Sequence, residues 1–396
     1  MIEQSVLFER WSGRRRVRIV PVDIDREMVA WTTEDAMVCL EKIEADRRTL
    51  APARGSWGPG WFGHLSYDLG PAILTGRPRS NGRGVPYLMF RRAGAIRVER
   101  PLRAGDGPGR IPASQPASRT DTRASYARKI LAAQEELRRG NVFEVNLSQR
   151  WVWAFERAPD EVALFARLCR AMRPAYGFFE RTPGGTILSF SPELFFSVRA
   201  GSIVTEPIKG TAGPADRGLL RSAKDRAELL MITDLFRNDL GKICAPGSIH
   251  ADGPKEMRLP YLRHLFSRVR GRLKGRAGLP EIIAALFPSG SVTGAPKIAA
   301  CEIIDRIEPF DRAESFGAAG WVGRDRMEFA VTIRTALLRG RRLRYTAGGG
   351  ITVYSDPRKE YEESLLKAGR FMEGLRTARQ PGGHKKARPP RTWTWM

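Results

Sequence analysis

Carboxylates at helical spacing are the first residues in this sequence that could do chemistry. Asp225 and Glu228 lie three residues apart in a stretch that reads as a helix over about 218–240, so they share one face. Glu360, Glu363 and Lys367, at i, i+3 and i+7, share a face of a last helix that Asp356 caps and Pro357 opens. Two helices presenting acids to one space could jointly hold Mg²⁺, which takes one or two carboxylates plus water and substrate oxygens. The plainer reading is two solvated faces in salt bridges, and spacing alone favours it. In PIKGT at 207–211, Lys209 stands between an apolar residue and a glycine just after a strand. Confined in a pocket near a cation, such a lysine can lose its proton and act as a nucleophile, although most lysines are surface charges. SGSVTGAPK at 289–297 leads into a helix, where free N–H groups beside Lys297 make either an anion site or an ordinary tight turn. It lacks the Walker phosphate-loop pattern, so ATP is not implied. The three glycines of AGGGI at 347–351 let the backbone approach a ligand through its N–H groups, or form a strand-end turn.

These residues need elements to position them. Asp121 reads as the N-cap of a helix running to Arg139 with Gly140 as its stop, and a second helix covers 160–172. Between them Phe143, Val145, Leu147, Trp151 and Trp153 alternate with Glu144, Asn146, Ser148 and Arg150, the pattern of a strand whose polar face can line a pocket. Strands are expected near 186–190, 193–198, 202–207, 262–273, 317–323, 327–337 and 342–347, with helices at 279–286 and 296–306. Strands interrupted by helices without βαβ alternation predict an α+β fold of antiparallel sheets. A Gly-, Pro- and Ser-rich run at 102–121 reads as an exposed linker. It joins an N-terminal region, 1–101, too irregular to close a core alone and so integrated with the rest, to a catalytic region at 122–376. A basic stretch, 377–396, reads as a disordered tail.

The chain has 396 residues, 42% of them hydrophobic and 28% charged, which excludes disorder and collagen-like repetition. No run approaches the ~18 apolar residues of a membrane span and no signal-peptide segment opens the chain, so the expectation is a cytoplasmic protein with no membrane partner. Cys39, Cys169, Cys244 and Cys301 show no CxxC spacing, and the four histidines are dispersed, so any metal should be a hard cation held by carboxylates. The net charge of +24 raises nucleic-acid binding as a non-enzymatic alternative. The arginines are spread along the chain and no recognition pattern appears, so no specific nucleic-acid partner is expected.

Eight segments, taken in order, resemble the chorismate-utilising enzymes: GNVFEVNLSQR (140–150), ILSFSPELFF (187–196), PIKGT (207–211), AELLMITDLFRNDLGKIC (227–244), RHLFSRVRG (263–271), FPSGSVTGAPKIAACEIID (287–305), VTIRTAL (331–337) and AGGGITVYSDPRKEYEESLLKA (347–368). GWFGHLSYDLG at 60–70 resembles, more weakly, the aminodeoxychorismate synthase version of the N-terminal region. The resemblance implies two packed antiparallel sheets surrounded by helices. It implies that Glu228 and Glu363 bind Mg²⁺, with Asp225 and Glu360 as supporting acids, and that the metal holds the ring carboxylate of chorismate. Glu193 matches the general acid that protonates the departing C4 hydroxyl. Arg334, Gly348, Gly349, Gly350 and Lys367 match groups that bind substrate carboxylates, Thr211 and Thr293 match pocket residues, and His264 matches a catalytic histidine near the reacting ring.

Lys209 implies the product. The anthranilate and isochorismate synthases usually carry Ala there, whereas the aminodeoxychorismate synthases carry a Lys proposed to attack C2 of chorismate before ammonia attacks C4. The expectation is therefore 4-amino-4-deoxychorismate, with anthranilate as the alternative product. Two positions depart from the pattern. Glu144 stands where anthranilate-type members usually have Gln and where the water-activating members use Lys, which argues against activation of water by a lysine base. Arg173 replaces a common Asn near the tryptophan-recognition motif, so feedback by tryptophan is not predicted. None of the four cysteines lies in a G-x-C-x-G context, so ammonia is expected from a glutamine amidotransferase partner.

Overall fold

The computed structural model describes residues 6–376 apart from 13–14, 54–56, 78–83, 101–110, 214, 216–217, 260–261 and 276. The N-terminal region supplies strands β1 (Val6–Ser12), β2 (Arg15–Ala30), β3 (Gly60–Leu65) and β4 (Leu88–Glu99), and helices α1 (Thr33–Arg47) and α2 (Leu69–Thr75). Next come β5 (Ser114–Arg119), α3 (Arg123–Arg138), β6 (Glu144–Phe155), α4 (Glu161–Met172), β7 (Tyr176–Thr182), β8 (Gly185–Ser191), β9 (Leu194–Arg199), β10 (Ser202–Thr205) and β11 (Ile208–Ala212). Helix α5 (Ala223–Ile243) precedes β12 (His250–Arg258), β13 (Arg263–Arg272), α6 (Leu279–Leu286), the short β14 (Gly294–Ala295) and α7 (Lys297–Ile307). Strands β15 (Ala318–Val322), β16 (Arg326–Val331), β17 (Thr335–Arg339) and β18 (Arg342–Ile351) lead to α8 (Pro357–Leu375).

Every described ladder between strands is antiparallel, as the α+β expectation required. From β13 the pairing runs through β10, β9, β16, β15, β3, β4 and β2. Strand β1 carries it across to β7, β8, β17, β18, β6 and β5. The two halves share an apolar layer that includes Phe8, Phe62, Phe178, Ile187, Trp321 and Leu337. Helices α1, α5 and α6 cover the outer face of the first half, and α4 and α8 that of the second. The N-terminal region thus supplies strands to both halves.

Several boundaries differ from the sequence reading for identifiable reasons. Thr122, not Asp121, caps α3: its hydroxyl accepts from Ser125 N at 3.1 Å while Ser125 Oγ accepts from Thr122 N. The end of the segment read as linker is β5, an edge strand on β6 in which Pro116 is tolerated because no second neighbour needs its missing N–H. The strand expected at 327–337 is two strands, broken at 332–334, where Arg334 takes a left-handed φ of 54°. The glycines expected after a strand lie inside it: Gly348, Gly349 and Gly350 pair with Ser148, Leu147 and Asn146 of β6. Phe143, read as part of this strand on the face of Val145 and Leu147, precedes β6 and is 66% exposed, while Glu144, Asn146, Ser148 and Arg150 on the polar face are buried. The basic tail at 377–396 lies outside the described residues.

Arg312, 1% exposed, ties these parts together. It donates to both carboxylate oxygens of Glu308 (2.9 and 2.8 Å), to Val292 O (2.7 Å) and to Asn146 O (2.8 Å). Its guanidinium lies between Tyr67 and Phe316, 4.8 and 4.4 Å from the ring centroids. Glu308 in turn accepts from Ser148 N and Oγ. Removing one partner strands a buried charge, so Glu308→Ala should cost about 3–5 kcal/mol in denaturant unfolding. A variant within about 1 kcal/mol of the parent would show that this pair does not hold the fold.

Candidate active site

One cleft gathers residues that the sequence scatters from position 193 to position 367: Glu193, Lys209, Thr211, Asp225, Glu228, His264, Arg334, Gly348 to Gly350, Glu360, Glu363 and Lys367 all line it. Thr293 does not. It is fully buried behind the wall, where its hydroxyl donates to Ser289 O at 2.9 Å and its carbonyl accepts from Asn146 N at 2.7 Å. Lys297, the cation of the supposed anion site, also points elsewhere. Its Nζ is buried against Leu286 O (2.7 Å) and Asp239 (2.6 Å), anchoring α7 to α5.

Each functional side chain has a local cause for its position. Glu193 follows β8 on a turn in which Ser191 Oγ accepts from Glu193 N at 3.1 Å, and the Glu193 carbonyl accepts from Val331 N. Its carboxyl accepts from Ser291 Oγ at 2.5 Å, and Ser289 supports Ser291 at 2.8 Å. Burial pushes Glu193 up to about 7, against the pull of Ser291, Lys209 and Arg334. It can therefore stay protonated near neutral pH and serve as an acid.

Lys209 and Thr211 sit on β11, which bulges at Gly210 (φ 67°) opposite β13. A Cβ at Gly210 would meet Asp225 Oδ1 at 3.0 Å, so the glycine lets α5 approach. Lys209 is buried and forms an ion pair with Glu144. Burial alone would lower its pKa, but Glu144 and Glu228 outweigh it, and the amine is held above the ordinary lysine value. His264, paired with Thr211 across the ladder, directs Nδ1 to Gly210 O at 3.0 Å and accepts from Arg334 at Nε2, 2.9 Å away. That network assigns the proton to Nδ1. Burial and the neighbouring Arg334 push His264 down to about 3, so it is a neutral imidazole that orients Arg334.

The acids of α5 and α8 meet across the cleft. Asp356 caps α8 through Arg358 N and Lys359 N, and Ser355 Oγ donates to Glu360 at 2.7 Å. Lys224 lies between the helices, 3.1 Å from Glu360 Oε1 and 3.7 Å from Glu228 Oε1. Lys367 donates to Gly348 O and pairs with Glu363, each at 2.8 Å. Burial pushes Glu228 up to about 7 and raises Glu360. Burial acts likewise on Glu363, but Lys367 overrides it and holds Glu363 below the usual range.

Among the described residues no three His, Cys, Asp or Glu side chains form a closed metal cluster. The donor set nevertheless suits a hard cation: Glu228 Oε1 is buried and accepts no hydrogen bond, and the acids around it are balanced by Lys224 and Lys367. A Cβ at Gly349 would stand 3.3 Å from Lys367 Nζ and 3.6 to 3.8 Å from Glu360 and Glu363, crowding that space. Strand β17 leaves β18 at Thr346, so the glycine run has one edge turned to the cleft rather than to a neighbouring strand.

Sequence reasoning missed Ser291 and Lys224 as parts of this site, and Arg312 as the buried support behind it. Ser291 lay within a quoted motif, but only its contact with Glu193 gives it a task. Lys224 had a signal, since it lies four residues before Glu228 on the same helix.

The chain belongs to the chorismate binding enzyme family, which residues 105–373 match. It is 40% identical over 265 residues to aminodeoxychorismate synthase component 1 of Salmonella typhimurium, covering 64% of this chain and 58% of that one, and 37% identical over the same length to the Escherichia coli protein of that name. The match thus spans less than two thirds of the length of those relatives. Anthranilate synthase component 1 of Saccharolobus solfataricus is 32% identical over 386 residues, 89% of each chain. Among solved structures, anthranilate synthase component I from Streptococcus pneumoniae superposes with a TM-score of 0.77 at 23% identity over 92% of this chain and 93% of that one. The menaquinone-specific isochorismate synthase of Escherichia coli gives 0.72 at 20% over 94% and 89%. These likenesses establish the fold of chorismate-utilising enzymes.

Glu193 binds its proton more tightly in the folded than in the unfolded chain. The stability this contributes is complete below the ordinary carboxyl range and is lost as pH rises to about 7. Glu193→Gln should therefore gain up to about 3 kcal/mol relative to the parent between about pH 5 and about pH 8, read by denaturant unfolding at both pH values. A pH-independent difference would show that Glu193 is not a proton-holding acid.

Proposed function

We propose that this protein aminates chorismate, converting chorismate and ammonia to 4-amino-4-deoxychorismate. The observation that carries the reading is Lys209, a buried amine presented to the cleft between Glu193 and the acids of α5 and α8. The similarity to aminodeoxychorismate synthase component 1 supports it. Because those relatives are components, a glutamine amidotransferase subunit is the proposed source of ammonia, and 4-aminobenzoate for folate is the proposed destination of the product.

In this reading Arg334, held by His264, and Lys367, held near the glycine run, bind the substrate's carboxylates. Glu228 and Glu363 would hold Mg²⁺, with Glu360 and Asp225 as supporting acids; the ion would supply positive charge to the ring carboxylate and to the acids themselves. Lys209 Nζ attacks C2 as Glu193 gives its proton to the leaving C4 hydroxyl, the two conjugated ring double bonds shifting along C2, C1, C6, C5 and C4. Ammonia then attacks C4, both double bonds shift back, and Lys209 is expelled. Two displacements return the substituent to C4, and the covalent step divides one difficult substitution into two. His264 has neither ring nitrogen available for substrate protons, so its part is to position Arg334.

The match to the archaeal anthranilate synthase over most of both chains keeps anthranilate as the rival product. Incubation with chorismate, Mg²⁺ and ammonium should yield 4-aminobenzoate only when an aminodeoxychorismate lyase is added. Anthranilate fluorescence without the lyase would replace this reading with its rival. Lys209→Ala should reduce 4-amino-4-deoxychorismate to background, and its survival would end the covalent mechanism. Glu228→Gln should weaken Mg²⁺ binding in calorimetry as well as activity; unchanged binding would place the metal elsewhere.

A further inference from the structure

We propose that Glu144 is the base that takes a proton from Lys209 Nζ and returns it, which makes Glu144 a catalytic residue of the amination. The proposal deepens the reading of Lys209 as nucleophile and rests on it. Glu144 opens β6, is 0% exposed, and forms an ion pair with Lys209 through Oε1. Its other oxygen, Oε2, is equally buried and accepts no hydrogen bond, so a proton on the carboxyl meets no competing donor there. Across the ladder Gly350 makes the room: a Cβ at 350 would overlap Glu144 Oε1 and stand 3.1 Å from Lys209 Nζ. Two glycines of the run thus have separate purposes, Gly349 keeping open the space by the α8 acids and Gly350 the space for the pair.

An ammonium has no lone pair, so Lys209 must lose a proton before it can attack. Among the described residues Glu144 is the acid within ion-pair distance of Nζ. The other charged groups facing the amine have other engagements. Glu193, on the turn after β8, accepts from Ser291 and is the acid for the leaving hydroxyl. Glu228 on α5 adjoins Lys224; Glu363 on α8 pairs with Lys367; Arg334, between β16 and β17, donates to His264. Lys209 has one further contact, Ser291 O at 3.4 Å. Moving the proton from Lys209 to Glu144 removes the desolvation cost of two buried charges, which offsets part of the attraction lost.

The protons balance. Lys209 passes one proton to Glu144, and the freed pair on Nζ forms the bond to C2. The C1=C2 π pair moves to C1=C6, the C5=C6 pair moves to C4=C5, and the C–O bond at C4 breaks, its electrons leaving with the hydroxyl, which takes the Glu193 proton and departs as water. Ammonia forms the bond to C4, the two π pairs move back to C5=C6 and C1=C2, and the C2–Nζ bond breaks to release a neutral amine. The new C4 ammonium returns a proton to Glu193, and Glu144 returns its proton to Lys209. The net change is chorismate plus ammonia to the amino product plus water.

The test separates this proposal from the function it rests on. The full chain is mixed with chorismate and Mg²⁺ without ammonia, and intact-mass spectrometry follows a protein adduct of chorismate less one water. Lys209→Ala sets the background. In the parent the rate of adduct formation should fall with rising pH only as Glu193 loses its proton at about pH 7, because the Lys209 proton stays within the pair. Glu144→Gln should slow it by about a hundredfold or more near neutrality. Relative to the parent, the remaining rate should climb with pH as Lys209 loses its proton to solvent, and Glu144→Asp should restore the parent's profile at reduced rate. Circular dichroism checks that both variants fold. Adduct formation in Glu144→Gln as fast as in the parent, or faster, with an unchanged pH profile, overturns the role of Glu144 while leaving Lys209 as nucleophile. A parent that forms no adduct and releases anthranilate overturns both.

Discussion

The cleft depends on a cation that never reaches it. Arg312 donates to carbonyls from two chain segments, Asn146 on β6 and Val292 before α7, and to the carboxylate that fixes Ser148. One face of its guanidinium meets Tyr67, which the N-terminal region contributes. A neutral side chain could satisfy one or two of these acceptors. The planar fork of arginine satisfies them together and stacks on aromatic rings at the same time. The wall that carries Asn146 and Ser291 is therefore set by a charge buried behind it. The first hundred residues cannot be trimmed as a separate lobe, since Tyr67 forms one side of that cage.

Within the cleft the organising constraint is charge balance at low water content. Five glutamates, at 144, 193, 228, 360 and 363, face or back onto one space with the cations Lys209, Lys224, Arg334 and Lys367. Burial raises Glu193 and Glu228 to similar values, but their neighbours give them different uses. Glu193 has a hydroxyl donor and a burial cost that outweighs the pull of Lys209 and Arg334, an environment that keeps a proton. Glu228 has a bare oxygen near Lys224 and sits opposite other acids, an environment that asks for more positive charge. In the proposed mechanism the same carboxyl chemistry is divided by surroundings into an acid and a cation ligand.

Much of this was legible from local pattern. Residues 279–286 carry apolar periodicity and end cleanly, and they form α6 with those bounds; Asp356 and Pro357 start α8 as capping chemistry requires. The carboxylate spacings on α5 and α8 correctly put Asp225 with Glu228, and Glu360 with Glu363 and Lys367, on faces that meet one cleft. What local pattern could not carry is pairing over long separations. The glycine run reads as a turn because glycine is poor in strands; it is a strand because β6 supplies the ladder and the missing Cβ atoms are needed for Leu147, Lys367 and Glu144. The break before Arg334 is invisible in a run of apolar residues, since its cause is the need to turn one guanidinium towards His264. Lys297 looked like an anion ligand because a basic residue follows a glycine-rich turn, and only Asp239, fifty-eight positions earlier, shows that its charge is already spent on holding two helices together.

Glu144 shows most clearly how a departure from pattern acquires meaning. In the sequence it is a carboxylate replacing an amide, on the polar side of a strand read from its alternating pattern. The fold puts Lys209 against it from β11 and empties the facing position on β18 by making residue 350 a glycine. Three strands distant in sequence thus agree on one buried pair. A buried ion pair costs desolvation that surface pairing never incurs, so stability alone gives little reason to keep it. A reaction that needs an amine first charged in the resting site and then neutral does give one.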